Sequence, residues 1–168
     1  MKKTIGSLLT ILAFVLGGCS FFMSEEDAIS QTHEVAKTTF EKNETETNHE
    51  AGSFSLYIPD SMKISEESNS NLILNEGEQT FILFYNPKEE RKSKLNYQAA
   101  SEKDEHLLLE SFEDEGRFGY VRVLPINEEE KYELQVGVGG VKVTTYAEKD
   151  SLKNDAEKMM KIANSIAY

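Results

Sequence analysis

The chain has 168 residues, with 30 acidic against 18 basic side chains and a formal net charge of −12. That balance argues against a nucleic-acid partner, whose binders carry basic patches, and against broad electrostatic adhesion to anionic lipid. One cysteine and three histidines leave no intrachain disulfide, no CxxC redox pair and no thiolate-rich metal site.

Lys2 and Lys3 open the chain, and Ile5 to Leu16 is uncharged and mostly apolar. Leu16-Gly17-Gly18-Cys19 closes the run, so the segment reads as a secretory signal peptide. The closing tetrad resembles the bacterial lipoprotein box, although Gly17 stands where Ala or Ser is more usual. The resemblance implies that the Cys19 thiol takes up a diacylglyceryl group and that a signal peptidase cuts between Gly18 and Cys19. The mature protein would then sit, lipid-anchored, on the extracytoplasmic face of a bacterial cell membrane. One acyl chain binds a bilayer marginally and two anchor it stably, at ~0.8 kcal/mol per buried methylene. Two rival readings exist. An uncleaved membrane helix could run from Thr4 to Met23, near the ~20 residues needed to span, with Gly17 and Gly18 inside it. Cys19 could also be a plain thiol after secretion. Loss of residues 1–18 removes two lysines and no acid, leaving 16 basic against 30 acidic residues, or −14.

Ser24 to Glu50 holds eight acids, two lysines and five apolar residues. Such composition predicts disorder, so residues 19–50 read as a lipid-anchored acidic tether. A flexible coil of that length reaches on the order of 30 Å. Within it, Ser24-Glu25-Glu26-Asp27 resembles a helix start. Ile29, His33, Ala36 and Phe40 would share one face of that helix.

Residues 51–168 read as a single α+β domain. Phe54, Leu56 and Ile58 alternate with polar neighbours until Pro59-Asp60. Met62 to Ser65, Leu72 to Asn75 and Thr80 to Tyr85 follow as strands, the last apolar on both faces and therefore central. Ser93 to Glu102 predicts a short helix with Leu95, Tyr97 and Ala99 inward. His106 to Phe112, Arg117 to Leu124, Tyr132 to Val138 and Val141 to Ala147 are strands, and Gly139-Gly140 joins the last two as a tight hairpin. A C-terminal helix, capped by Asp150 or Ser151, aligns Leu152, Ala156, Met159, Ala163 and Ile166 in one stripe. The expected architecture is α+β: an antiparallel sheet of about six to eight strands, packed by the C-terminal helix and the shorter central one. The opening segment FSLYIPD, the meander, the Gly-Gly hairpin and the closing Ile162-Ala163-Asn164-Ser165-Ile166 together resemble the PsbP-like family over residues 52–167. That resemblance implies an extracytoplasmic accessory or interaction module and carries no catalytic residue to this chain.

Chemistry-bearing patterns are sparse. His33 and His49 fall in the tether, and His106 begins a strand. Gly137-Val138-Gly139-Gly140 lacks the strand-to-helix context of a dinucleotide loop and reads as the hairpin. Glu113-Asp114-Glu115 and Glu128-Glu129-Glu130 read as solvated turns, without the spaced ligands of a calcium loop. Lys88, Arg91, Lys92 and Lys94 read as the exposed lead-in to the central helix. No catalytic residue, metal site or cofactor is expected. The partners expected are the membrane, through the anchor on Cys19, and an envelope protein. The leading reading is a non-enzymatic module. Its alternatives are a small-ligand binder with a pocket between sheet and C-terminal helix, and an envelope enzyme pairing His106 with a carboxylate in a cleft.

Overall fold

Alternating apolar and polar residues build most of the molecule, because each strand must bury one face and hydrate the other. The structure, a computed structural model, describes residues 23–42, 45–52, 54–102 and 105–166. Gly18 and Cys19 lie outside the described residues. Among those described, seven strands form one antiparallel sheet. They are β3 (Lys63–Glu67), β4 (Asn71–Glu76), β5 (Gln79–Tyr85), β6 (Leu108–Glu113), β7 (Phe118–Ile126), β8 (Tyr132–Val138) and β9 (Val141–Ala147). Their order is β3-β4-β5-β9-β8-β7-β6. A separate hairpin pairs β1 (His49–Ala51) with β2 (Phe54–Leu56).

Two helices cover the inner face. They are α1 (Glu25–Lys42) and α3 (Leu152–Ser165), the latter entered through a 3-10 turn at Lys149–Ser151. The expected stripe on α3 holds: Leu152, Ala156, Met159, Ala163 and Ile166 are all buried, with Met160 and Ile162 beside them. They join Leu134, Val136, Val141 and Val143 in one apolar core. This packed core counts against the alternative of a ligand pocket between the sheet and the C-terminal helix. Neither Asp150 nor Ser151 caps α3 through its side chain; Ser151 Oγ instead donates to the Glu148 carbonyl at 3.0 Å.

The tether reading fails for residues 25–42. Ala28, Thr32, Ala36 and Phe40 repeat every fourth residue and are buried, which puts them on one helical face. Of the face expected for such a helix, Ala36 and Phe40 are buried, while Ile29 and His33 flank it half-buried. The single polar member, Thr32, is satisfied within the helix, its hydroxyl donating to Ala28 O at 2.7 Å. Ala28 and Ala36 on α1 and Ala156 and Ala163 on α3 are all buried in the same core. Thus α1 belongs to the domain, and so does His49–Ala51, which begins two residues before the predicted start of the domain at residue 51.

The shorter helix, α2 (Leu95–Ser101), lies on the opposite, outer face. The chain leaves β5, passes over that face as α2, and re-enters at the far edge as β6. The inward residues are Ala100 and Tyr97, whose ring meets Phe118 and Tyr120 edge-on. Leu95 and Ala99, expected inward, are exposed: the covered patch on β7 is narrow, so one aromatic and one alanine fill it. The strand read as central, β5, lies inside the sheet between β4 and β9, and with Ile82 48% exposed its apolar residues are covered on one face only. Pro125, expected to follow a finished strand, lies inside β7 at a register shift between Val123 and Ile126, where a missing N–H is tolerated.

Gly139-Gly140 forms the predicted hairpin, with Val138 paired to Val141. Gly139 has φ +56, and a Cβ there would stand 2.6 Å from both Arg91 Cα and Glu90 O. Gly139→Ala is expected to lower stability by about 2 kcal/mol or more, combining a left-handed backbone with a clash. Gly77 has φ +61 and open space around its Cβ position, so Gly77→Ala should cost only the backbone part. Urea unfolding of both variants checks the difference; equal losses would show that the Arg91 segment moves aside freely.

Candidate functional site

The end of α3 gathers more buried polar chemistry than any other place described. A helix leaves its last carbonyls without partners, and here Arg91 supplies donors to two carbonyls at that end. Arg91 donates from Nη1 to Ile166 O and from Nη2 to Asn164 O, both at 2.8 Å. Read from sequence as part of an exposed basic lead-in, Arg91 is instead turned inward by these carbonyls. Asn164 is 3% exposed. Its Nδ2 donates to Thr39 O at 2.9 Å, and its Oδ1 accepts from Arg117 Nη1 at 3.0 Å. Arg117 also lies over the Phe40 ring, 4.5 Å from its centre.

Asp114 completes this network from the β6–β7 turn. Its Oδ1 accepts from the backbone N–H groups of Gly116 and Arg117, and its Oδ2 from Arg117 Nε and Nη2. Burial opposes ionisation, but the Arg117 side chain and the two backbone donors outweigh it and hold the carboxyl below its ordinary value. The first acidic triad is thus partly structural: Asp114 folds the turn, and Glu113 pairs with Lys94 at 2.9 Å. Next to it, Ser165 Oγ accepts from Tyr57 N and donates to Ile162 O, both at 2.8 Å. The segments FSLYIPD and IANSI therefore touch, one end of the domain latching onto the other.

The opposite end of α3 carries a second cluster. Asp155 is 2% exposed. It accepts from Gln79 Nε2 at 2.8 Å and lies 3.8 Å from Lys158, which also pairs with Glu76. Desolvation dominates and pushes the Asp155 carboxyl up despite the Gln79, Ser151 and Lys158 contributions. A raised folded-state value means that the ionised carboxylate burdens the fold at neutral pH. The burden is relieved as pH falls through that raised value toward the ordinary one. Asp155→Asn keeps an acceptor for Gln79 and should be more stable than the wild type at pH 7. Thermal unfolding between pH 7 and pH 3 should show that advantage shrinking to nothing; an advantage that grows toward acid would reverse the sign argued here.

Gln79 also floors a surface groove of about 430 Å³ rimmed by Glu78, Glu129, Lys131, Tyr146 and Glu148. A second groove, of about 340 Å³, runs between α1 and β6 beside Lys37, Phe40 and Phe112. Both are open; the first borders the start of α3 through Gln79 and Ser151, and the second lies on the side of α1. The three histidines are not brought together. His33 stacks on Phe112 with ring centres 5.9 Å apart, His49 sits 3.8 Å from Glu67, and His106 is exposed before β6. Among the described residues no group of three or more His, Cys, Asp or Glu side chains is placed to hold a metal ion. None of their helices is long and apolar enough to cross a membrane.

Asn164, Arg117 and Asp155 were not singled out from the sequence. The signal available was a polar residue breaking an apolar stripe, as Asp155 does between Leu152 and Ala156.

No family model and no curated protein matches the chain. Among solved structures it is similar to the solution structure of cyanobacterial PsbP (CyanoP) from Synechocystis sp. PCC 6803. The TM-score is 0.46 and the sequence identity 9%, over 73% of this chain and 92% of that one.

Proposed function

We propose that this chain is a lipid-anchored lipoprotein of the extracytoplasmic membrane face, and that its α+β domain acts as an accessory module through binding. The observation that carries the reading is Leu16-Gly17-Gly18-Cys19 closing a basic and then apolar N-terminus. The polar side chains buried inside the domain support the second half. Arg117, Asn164 and Asp114 hold helix and turn ends, and Gln79 with Asp155 ties α3 to β5. These groups are committed to architecture. The acidic balance fits a partner with basic or neutral contacts rather than a nucleic acid.

The test is metabolic labelling with a clickable fatty acid in cells that make the full chain, followed by fractionation and protease treatment of intact cells. A labelled, membrane-bound, protease-accessible protein is the expected result. An unlabelled protein recovered from the medium or from the cytosol overturns the reading.

A further inference from the structure

Two neighbouring side chains on the outer face of β7 are buried without all their polar atoms being met. Arg122 and Tyr120 are each 2% exposed and, two residues apart on a strand, share the face that α2 covers. Arg122 Nη1 donates to Ala100 O at 3.3 Å, satisfying a carbonyl at the end of α2. Its Nε and Nη2, and the Tyr120 hydroxyl, have no hydrogen-bond partner among the described residues. Nε and Nη2 form one edge of the guanidinium, whose two parallel N–H groups match the oxygens of a carboxylate or phosphate. Native proteins rarely bury such donors without an acceptor, because their desolvation goes uncompensated.

Arg117 offers an internal comparison. Its own Nε–Nη2 edge is filled by Asp114. The carboxylate beside Arg122 does not act that way. Glu133 Oε1 stands 3.8 Å from Nη2, beyond hydrogen-bond length, and accepts instead from Gln135 Nε2 at 2.7 Å. Burial pushes the Tyr120 hydroxyl upward in pKa, so it remains a proton donor at neutral pH.

The geometry points to a binding site for one small oxyanion, a carboxylate or a phosphate, held by the Nε–Nη2 edge of Arg122 with Tyr120 as a further donor. It lies beneath the last turn of α2. The cover is thin, since α2 has seven residues and Ala99 and Ser101 beside Ala100 are exposed. Admitting the anion requires that turn to shift and the single contact from Arg122 to Ala100 O to adjust. The site is independent of the anchor on Cys19.

The test is NMR titration of the full chain in detergent micelles, with 15N-labelled arginine, using sodium acetate and separately inorganic phosphate at an ionic strength fixed with chloride. The Arg122 Nε–H resonance is expected to move saturably with at least one of the two anions, which also tells carboxylate from phosphate. Tyr120→Phe should weaken binding by about tenfold or more, the share of one hydrogen bond to a charged acceptor. Glu133→Gln removes a competing negative charge and should tighten it. Arg122→Lys keeps the charge but loses both the planar edge and the reporting Nε–H, so it is read by the anion-dependent rise in Tm, which the wild type should show and this variant should lose. If Arg122→Lys does not fold, the Tyr120 and Glu133 variants decide. The site is refuted by no saturable shift with either anion, by an equal shift in chloride alone, or by weaker binding in Glu133→Gln.

Discussion

Phe40→Ala is expected to cost the domain about 3–5 kcal/mol, the range for deleting a buried aromatic side chain. Against a total stability of roughly 5–15 kcal/mol for a single domain, that is enough to unfold a marginal protein at physiological temperature. The size follows from what the ring touches. Phe40 is 2% exposed and packs tilted against Phe112 at 5.8 Å, and the Arg117 guanidinium covers it. Gly119 on β7 has no side chain where the ring lies, since a Cβ there would be 2.7 Å from it. Truncation would leave a cavity bounded by backbone, which collapses poorly. Urea unfolding measures the loss, and hydrogen exchange locates it in α1, α3 and β7. A solvated tether predicts the contrary, a loss under about 0.5 kcal/mol, and that outcome would return α1 to the flexible class.

On the lipoprotein reading proposed above, Cys19→Ser is expected to move the protein out of the lipid-modified, membrane-bound pool altogether. A serine hydroxyl is not the thiol that the lipoprotein pathway alkylates, so both acyl chains are lost together. The protein should then give no signal with a fatty-acid probe and leave the membrane fraction. Retention in the membrane without label would favour the uncleaved helix from Thr4 to Met23, because only an apolar segment would remain to hold it.

The C-terminal helix, the hairpin at Gly139-Gly140 and the meander were legible because each has a short-range signature. The stripe on α3 repeats at helical spacing, and two adjacent glycines suit a tight turn. By contrast, α1 was hidden by averaging: with five apolar residues among 27 in Ser24–Glu50, composition says tether, although a narrow period of four carries the burial. A helix with so slim an apolar face is stable only against a partner, and the partner, α3, lies more than a hundred residues away. The same distance hid the polar network. Arg91 reads as one of several exposed cations until the carbonyls of Asn164 and Ile166 are placed beside it. Arg122 lies within the strand read over Arg117 to Leu124, and nothing in that stretch marks it as buried. Only the crossing of α2 over the outer face buries it, and no local pattern announces a crossover.

One consequence of α1 concerns distance and attitude rather than stability. The domain begins in effect at Met23, which packs against the core, and four peptide links separate it from Cys19. Fully stretched, they span at most about 14 Å. On the anchored reading, the domain therefore rides close to the headgroups and cannot swing through the wide arc that a thirty-residue coil would permit. The same end is marked by Tyr132, whose hydroxyl donates to Glu25 at 2.7 Å, so the Glu128-Glu129-Glu130 loop that leads into β8 sits near it. A short mooring pulls that end toward the bilayer while its carboxylates push against anionic lipid. On that reading the second groove, between α1 and β6, is held near the bilayer together with the rest of the domain.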